Sequence, residues 1–112
     1  GIYQGKIYVK DIAQKTDAYQ LSKALLLNDD TEFNSKPELE IYADDVKCSH
    51  GSTSGNVEED SLYYLMTRGL SRKESLRLLI NGFLNDIVDV IKSNTIKDFI
   101  SSNLEKQIYE YK

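Results

Sequence analysis

The chain has few of the residues that bind soft metals, crosslink chains or interrupt strands: one cysteine, one histidine and one proline among 112 residues. It also has no tryptophan. A single cysteine excludes an intrachain disulfide, which favours a reducing compartment. A net charge of -4 gives no electrostatic reason to expect nucleic acid or an anionic membrane as a partner. No apolar run approaches the ~20 residues that span a bilayer. We therefore expect a cytoplasmic protein that binds neither nucleic acid nor membrane.

What is present indicates an ordinary globular composition, with 40% hydrophobic and 29% charged residues. A chain of 112 residues forms one domain or a piece of one. The first residue is Gly1 rather than methionine, the sequence opens in a strand-like pattern, and it lacks the layout of a secretory signal. These features are typical of an excised fragment.

The pattern changes near Asn56, which predicts two regions, 1–56 and 57–112. In the first, alternation around Ile7 and Val9 predicts one strand. A second extended run covers 17–27, with Tyr19, Leu21, Leu25 and Leu27 in phase and its last residues buried on both faces. A third run turns Leu39, Ile41 and Ala43 inward. The phase then flips at Asp44-Asp45, which predicts a corner. Short strands joined by corners favour a solenoid of stacked rungs as much as a sandwich.

The second region has helical periodicity and predicts three helices. The first begins at Glu58-Glu59-Asp60 and stops at Gly69. The second, 71–92, opens with a capping box from Ser71 to Glu74 and keeps an apolar stripe for about four turns. The third begins near Thr95–Asp98, a sequence similar to a capping box. Its apolar residues are Phe99, Ile100, Leu104, Ile108 and Tyr111.

Cys48 and His50 are the candidate site. In a strand their side chains leave the same face, with Cα atoms roughly 6.5–7 Å apart. Thiolate and imidazole both suit zinc, iron or iron–sulfur chemistry, but two ligands do not close a tetrahedral site. The alternatives are a buried free cysteine beside a satisfied histidine, which the spacing alone favours, and a Cys–His nucleophile pair.

Three other features have structural explanations. Asp44-Asp45 could hold a hard cation, but a corner is the better interpretation. The run Gly51–Gly55 lacks the glycine spacing and the Lys-Ser/Thr pair of a P-loop, and it predicts a flexible connection into the helices. Gly82 lies within the long helix, where glycine costs up to ~1 kcal/mol relative to alanine. It predicts tight packing against a neighbouring helix or, with Leu79 and Phe83, a surface on which a partner docks.

Several runs follow one another in a fixed order over roughly residues 5–90: Ala13–Gln20, Leu25–Leu27, Lys36–Ile41, Asp44–Gly51, Leu62–Leu65, Arg68–Leu70 and Leu78–Phe83. Together they resemble the SufB/SufD family of iron–sulfur cluster assembly proteins. Within the family the resemblance is strongest to the C-terminal part of the SufD type, because of the Val46–Gly51 run.

The resemblance implies the last rungs of a right-handed parallel β-helix (1–56) followed by a C-terminal bundle of about three α-helices that docks an ATPase (57–112). It implies a non-catalytic scaffold with two partners, a SufB paralogue and a SufC-type ABC ATPase. His50 matches a histidine at the SufB interface, and Cys48 lies beside it. Iron or an iron–sulfur cluster would be held only transiently, in the full complex. We also expect the chain to self-associate through an exposed β edge. The alternatives are a structural interaction module and a stand-alone metal-binding protein.

Overall fold

The computed structural model describes residues 1–110, in which four β-strands precede three α-helices. The strands are β1 (Ile2–Val9), β2 (Asp17–Leu26), β3 (Asn34–Ile41) and β4 (Lys47–Asn56). The helices are α1 (Glu59–Thr67), α2 (Arg72–Val88) and α3 (Asn94–Glu110). The chain forms two compact units: a strand unit, Gly1–Asn56, and a helical unit that begins at Val57. Tyr111, predicted for the third helix, lies outside the described residues.

The strands of the strand unit alternate between two small sheets. β1 pairs with β3 and β2 pairs with β4, and both pairings in the described chain are parallel. Ile2 lies opposite Asn34, and Asp17 lies opposite Lys47. Consecutive strands therefore belong to different sheets, which is the connectivity of stacked rungs rather than of hairpins. The predicted mixed α/β class is confirmed, while the right-handed winding stays a prediction.

The corner predicted at the paired aspartates is confirmed. Asp44 and Asp45 lie in a bend between β3 and β4. The preceding corner supports this bend, because Lys15 N–H donates to Asp45 O (2.6 Å) and Asp45 N–H donates to Gln14 Oε1 (2.9 Å). Lys15 adopts a left-handed conformation with φ of 64°. The two corners are thereby tied together by backbone groups that would otherwise need water.

The flexible connection predicted at Gly51–Gly55 is wrong, because these residues form the second half of β4. They lie in register with Leu21 to Leu25 of β2. The ladder bonds the backbone of every second residue, among them Gly51, Thr53 and Gly55, so the run is held in an extended conformation that the local propensity of glycine and serine does not favour.

The apolar faces of the strands are less buried than the sequence pattern suggests. Tyr19 is 63% exposed and Leu21 48%, whereas Ser22, on the opposite face of β2, is only 8% exposed. Leu39 and Ile41 remain 39% and 38% exposed. In the part of the chain that the structure describes, each sheet has only two strands, so few side chains can be covered from both sides.

The helical unit follows its local signals closely. Gly69 has φ of +100° after α1, as a C-terminal stop requires. The capping box of α2 is present in both directions between Ser71 and Glu74. α2 ends at Val88 rather than at residue 92, because Val90 N–H turns back to Ile87 O. α3 also begins slightly earlier than the predicted capping box at Thr95, since Lys97 N–H donates to Ser93 O.

The core of the helical unit is small and mostly apolar, although Ser75 of α2 is fully buried within it. None of the helices in the described residues is long and apolar enough to cross a membrane. The buried apolar residues are Leu62, Ile80, Val88 and Ile108.

Candidate functional site

Cys48 and His50 lie on β4, two residues apart, in the order that places both side chains on one face of the strand. Cys48 pairs in register with Ala18, and His50 pairs with Gln20. Cys48 is a half-buried free thiol, and His50 is exposed. The strand therefore offers one accessible imidazole beside one partly covered thiol.

The face that carries these two residues is turned toward the other sheet. On β2 this face reaches across the strand unit: Gln20 Nε2 donates to Tyr3 Oη of β1 (3.0 Å), and Ser22 Oγ shares a hydrogen bond with Ser35 Oγ of β3 (2.9 Å). Ser22 Oγ also donates to Ser52 Oγ on β4 (3.1 Å). Because Ser52 and His50 differ by two positions, the imidazole leaves β4 on the same inner face. The interior of the strand unit is therefore polar around Gln20 and Ser22.

The backbone of His50 also lies at a free edge. Lys47 N–H donates to Thr16 O, so every second residue from Lys47 turns its backbone toward β2. His50 and Cys48 belong to the other set, which points away from β2. Among the described residues no strand pairs with β4 on that side. An unpaired edge of this kind is a template for another chain.

Gln20 is the neighbour that sequence reasoning missed. Its carboxamide nitrogen is held by Tyr3, and its Oε1 is buried without a hydrogen-bond partner among the described residues. Gly5 makes room for this amide, because a Cβ at Gly5 would lie 1.9 Å from Gln20 Nε2. Only the strand register brings Gln20 beside His50, and no local signal in either strand could have shown it.

Gly51 has a specific role on the outer face. A Cβ at this position would lie 2.7 Å from Tyr19 Oη and 3.4 Å from Leu21 Cδ1. The Tyr19 ring therefore crosses β4 at Gly51, directly after His50. The Val46–Gly51 run thus ends at a position where a larger side chain would displace an aromatic ring.

The outer face of β1 and β3 carries a charged and aromatic cluster. Lys6 Nζ lies 2.9 Å from Glu40 Oε2, and Tyr42 Oη donates to Glu40 Oε1 (2.8 Å). The hydrogen bond and charge of Lys6 lower the pKa of Glu40, and Glu40 in turn raises the pKa of Lys6 and of Tyr42. Tyr42 meets Tyr8 edge to face, with ring centroids 5.8 Å apart. Lys6, Tyr8 and Tyr42 are exposed and Glu40 is only partly covered, so the cluster is a surface feature.

A complete metal site is not formed within residues 1–110, where no group of three or more histidine, cysteine, aspartate or glutamate side chains could hold an ion. Cys48 and His50 stay a pair, and Asp44 and Asp45 serve the corner.

The predicted helix-docking residues lie on one side of α2. Gly82 is exposed, and apart from its chain neighbours and the backbone of its own helix, no heavy atom of the described residues lies within 4 Å of the position that a Cβ would occupy. The expectation of tight packing at Gly82 is therefore wrong, because the neighbouring helices contact other faces of α2. Phe83 and Leu79 are half-buried, and Leu79 lines an open cleft of about 390 Å³ with Tyr64 and Leu65 of α1.

Comparison with known proteins bears directly on this arrangement. The family model described as the SufBD core domain of the SUF system for FeS cluster assembly matches residues 1–83. A SufBD family protein of Synechocystis is 44% identical over 90 residues, which are 80% of this chain and 20% of that protein. The iron–sulfur cluster assembly protein SufD of Escherichia coli is 32% identical over 107 residues, 96% of this chain and 25% of that protein. SufD of Bacillus subtilis is 34% identical over 107 residues, 96% of this chain and 24% of that protein.

These relatives confirm the resemblance found in the sequence, and the matched part of the chain contains all four strands, α1 and much of α2. The chain spans about a quarter or less of the length of these three curated relatives. It belongs to the SufBD family of iron–sulfur cluster assembly proteins.

Proposed function

We propose that this chain is the C-terminal part of a SufD-like scaffold subunit of a SufBCD complex in the cytoplasm. The strand unit presents His50 to a SufB paralogue, and the helical unit docks a SufC-type ABC ATPase. Membership of the family supports a role in iron–sulfur cluster assembly. The observation that carries the proposal for His50 is its position: an exposed imidazole on the free edge of β4.

A right-handed parallel β-helix is the winding that we propose for the strand unit. The alternation of strands between two parallel sheets supports it, because each pair joins residues of successive turns, as Ile2 joins Asn34. Parallel strands joined by crossovers are right-handed in nearly all proteins.

The role of His50 is tested by His50→Ala in the full-length subunit, with cluster assembly measured spectroscopically in the complete complex. We expect assembly to be lost while complex formation persists, since an exposed side chain contributes little to folding. Cys48→Ala measures the contribution of the thiol separately. Ser49→Ala is the matched control, because this exposed neighbour leaves the opposite face of β4.

If His50→Ala supports normal assembly, the subunit is a structural interaction module instead. A stand-alone metal-binding protein would bind iron or zinc at defined stoichiometry without partners, and His50→Ala would abolish that binding. The absence of a complete ligand set within residues 1–110 argues against this alternative.

Docking of the ATPase is proposed for the side of α2 that carries Leu79, Gly82 and Phe83. The open space at Gly82 supports this proposal, because glycine there weakens the helix without serving internal packing. Calorimetric titration of the chain with the matching ATPase is expected to show saturable one-to-one binding. Gly82→Ala should stabilise the helix by up to ~1 kcal/mol yet weaken docking about tenfold, or ~1.4 kcal/mol.

Ser102→Ala, an exposed change on α3, is the control for the titration and should bind like the native chain. Unchanged affinity of Gly82→Ala and Phe83→Ala would move the docking surface elsewhere. No binding by the folded native chain would mean that docking needs more of the subunit.

We further propose that the chain is non-catalytic and binds no cofactor stably, iron or the nascent cluster being cargo of the complete complex. Hydrolysis of ATP would belong to the ATPase partner. Purified chain should therefore show no ATP turnover above a buffer control, and measurable turnover would contradict the assignment.

Self-association is proposed at the free edges of β1 and β2. Asn34 N–H donates to Gly1 O, so the backbone of Pro37 faces away from β1, where its nitrogen has no hydrogen to donate. The edge of β3 is thus interrupted, whereas the edge of β1 offers a full row of donors. Sedimentation at high concentration should reveal dimers or larger species, and a strictly monomeric profile would contradict this proposal.

A further inference from the structure

Gln20 is one of three described residues that bury a side-chain polar atom without a hydrogen-bond partner, and the only one of them in the strand unit. Its Nε2 donates to Tyr3 Oη (3.0 Å), while its Oε1 is buried without a partner among the described residues. Buried polar atoms almost always find a hydrogen-bond partner. Leaving such an acceptor unpaired sacrifices the hydrogen bond that it would make with water in the unfolded chain. The arrangement therefore suggests that Oε1 accepts a bond in a conformation other than the one described.

The register places a donor beside Gln20. Gln20 pairs with His50 across the parallel ladder. Side chains of such pairs leave the same face of the sheet, on strands ~4.8 Å apart. The His50 ring is exposed and can change rotamer at little cost, and a neutral imidazole carries one N–H donor.

Gln20 itself is held in place. Tyr3 fixes the amide nitrogen, and Gly5 leaves the space that the amide occupies, since a Cβ there would lie 1.9 Å from Nε2 and 2.6 Å from Tyr3 Oη. A fixed acceptor beside a mobile ring is the arrangement by which a second residue selects the tautomer and orientation of a histidine.

We infer that Gln20 is a positioning residue for His50: its carboxamide oxygen accepts a hydrogen bond from an imidazole N–H and leaves the other ring nitrogen directed outward. This inference rests on the proposed function of His50 for its biological meaning. The physical contact can be tested without it. A ring nitrogen with its lone pair directed outward is available to a metal ion or to a proton.

The single histidine of the chain makes the test direct. With ring-¹⁵N histidine, nuclear magnetic resonance reports the tautomer of His50 and the exchange of its N–H with water. We expect contacts between the Gln20 amide protons and the ring protons of His50 in the native chain. In Gln20→Met, which keeps the length but removes the acceptor, N–H exchange should be about two- to tenfold faster, as one net hydrogen bond predicts.

Two further variants separate positioning from folding. Gln20→Glu keeps an acceptor oxygen and should restore slow exchange, and Gly5→Ala should reproduce the fast exchange by displacing the amide. Gln14→Met is the matched control, because the amide of Gln14 serves the corner and should not affect His50.

Absence of Gln20–His50 contacts in the native chain would overturn the inference without any variant. Equal exchange rates in the native chain and in folded Gln20→Met would do the same. Because these measurements need no partner, they can succeed even if His50→Ala leaves cluster assembly intact. That combination would overturn the proposed function alone.

Discussion

The strand unit and the helical unit are each stabilised internally by a different kind of interaction. In the strand unit, beside the buried apolar Val9 and Ala43, polar contacts among the Ser22, Ser35 and Ser52 hydroxyls join strands far apart in sequence. In the helical unit, the core is mostly apolar, with Ser75 as its one buried polar residue among those described, and the stabilising contacts at the helix ends are local, as in the Ser71–Glu74 box. Sequence patterns describe the second kind of structure well and the first kind poorly.

The comparison also separates the two proposed activities. The strand unit positions His50 by register against β2, whereas the helical unit offers an open side of α2 that its own packing does not use. If each unit has its own core, damage to one should leave the other intact. The predictions below test that independence and then the interactions within each unit.

The largest effect is expected from Leu62→Ala in α1. Leu62 is 2% exposed, and truncation of a buried leucine to alanine costs about 2–5 kcal/mol. Hydrogen exchange measured by mass spectrometry should show loss of protection in the helical unit and little change in the strand unit. Val9→Ala, at a residue that is 3% exposed, is the reciprocal variant in the strand unit. Loss of protection in both units from either change would show that they fold as one.

A smaller effect is expected from Ser22→Ala in β2. The hydroxyl contacts both Ser35 and Ser52, and its removal leaves those groups with fewer partners. We expect a loss of about 1–2 kcal/mol from the free energy of unfolding, measured by denaturant titration. Ser54→Ala, at an exposed position of β4, is the control and should be nearly neutral. A neutral Ser22→Ala would mean that water replaces the hydroxyl.

Ser71→Ala should cost the helical unit about 1 kcal/mol, because it removes the side chain that caps α2. Thermal unfolding followed by circular dichroism checks this value. Ser102→Ala is the control: its hydroxyl bonds back to Phe99 O within α3, so its loss should change stability by less than about 0.5 kcal/mol.

The smallest effects are expected from the surface ion pairs under acid. Lys6 lowers the pKa of Glu40, and Arg72 lowers the pKa of Glu59. Because these folded-state values lie below the ordinary value of 4.5, the stabilisation is present above that pH and is lost as pH falls.

We therefore expect Lys6→Met to flatten the acid dependence of stability in the strand unit, and Arg72→Met to flatten it in the helical unit. Both effects should shrink in high salt, since the pairs are exposed. A salt-independent acid slope would assign the dependence to other carboxylates.

The helical unit could be predicted in most of its parts. The Ser71–Glu74 box, the Gly69 stop and the buried Leu62 follow from spacing over a few residues, which is the range on which a helix is specified. The errors lie where packing decides: α2 ends early, and the space at Gly82 is open rather than filled.

The strand unit could be predicted only in outline. The alternation around Val9 and the corner at Asp44-Asp45 are local, and both are confirmed. The extension of β4 through Gly51–Gly55 could not be predicted, because those residues form a strand only through pairing with β2. The contact of Gln20 with Tyr3 is equally invisible in sequence.

The sequence by itself determined the family, the order of strands before helices, and the identity of Cys48 and His50 as the chemically distinctive pair. These depend on residue types and on spacing over short stretches. The tertiary structure alone decided that β2 and β4 pair in parallel, that Gln20 lies beside His50, and that the inner face at this level is polar. Such facts depend on which strands meet and in which register, and no residue encodes them until the chain has folded back on itself.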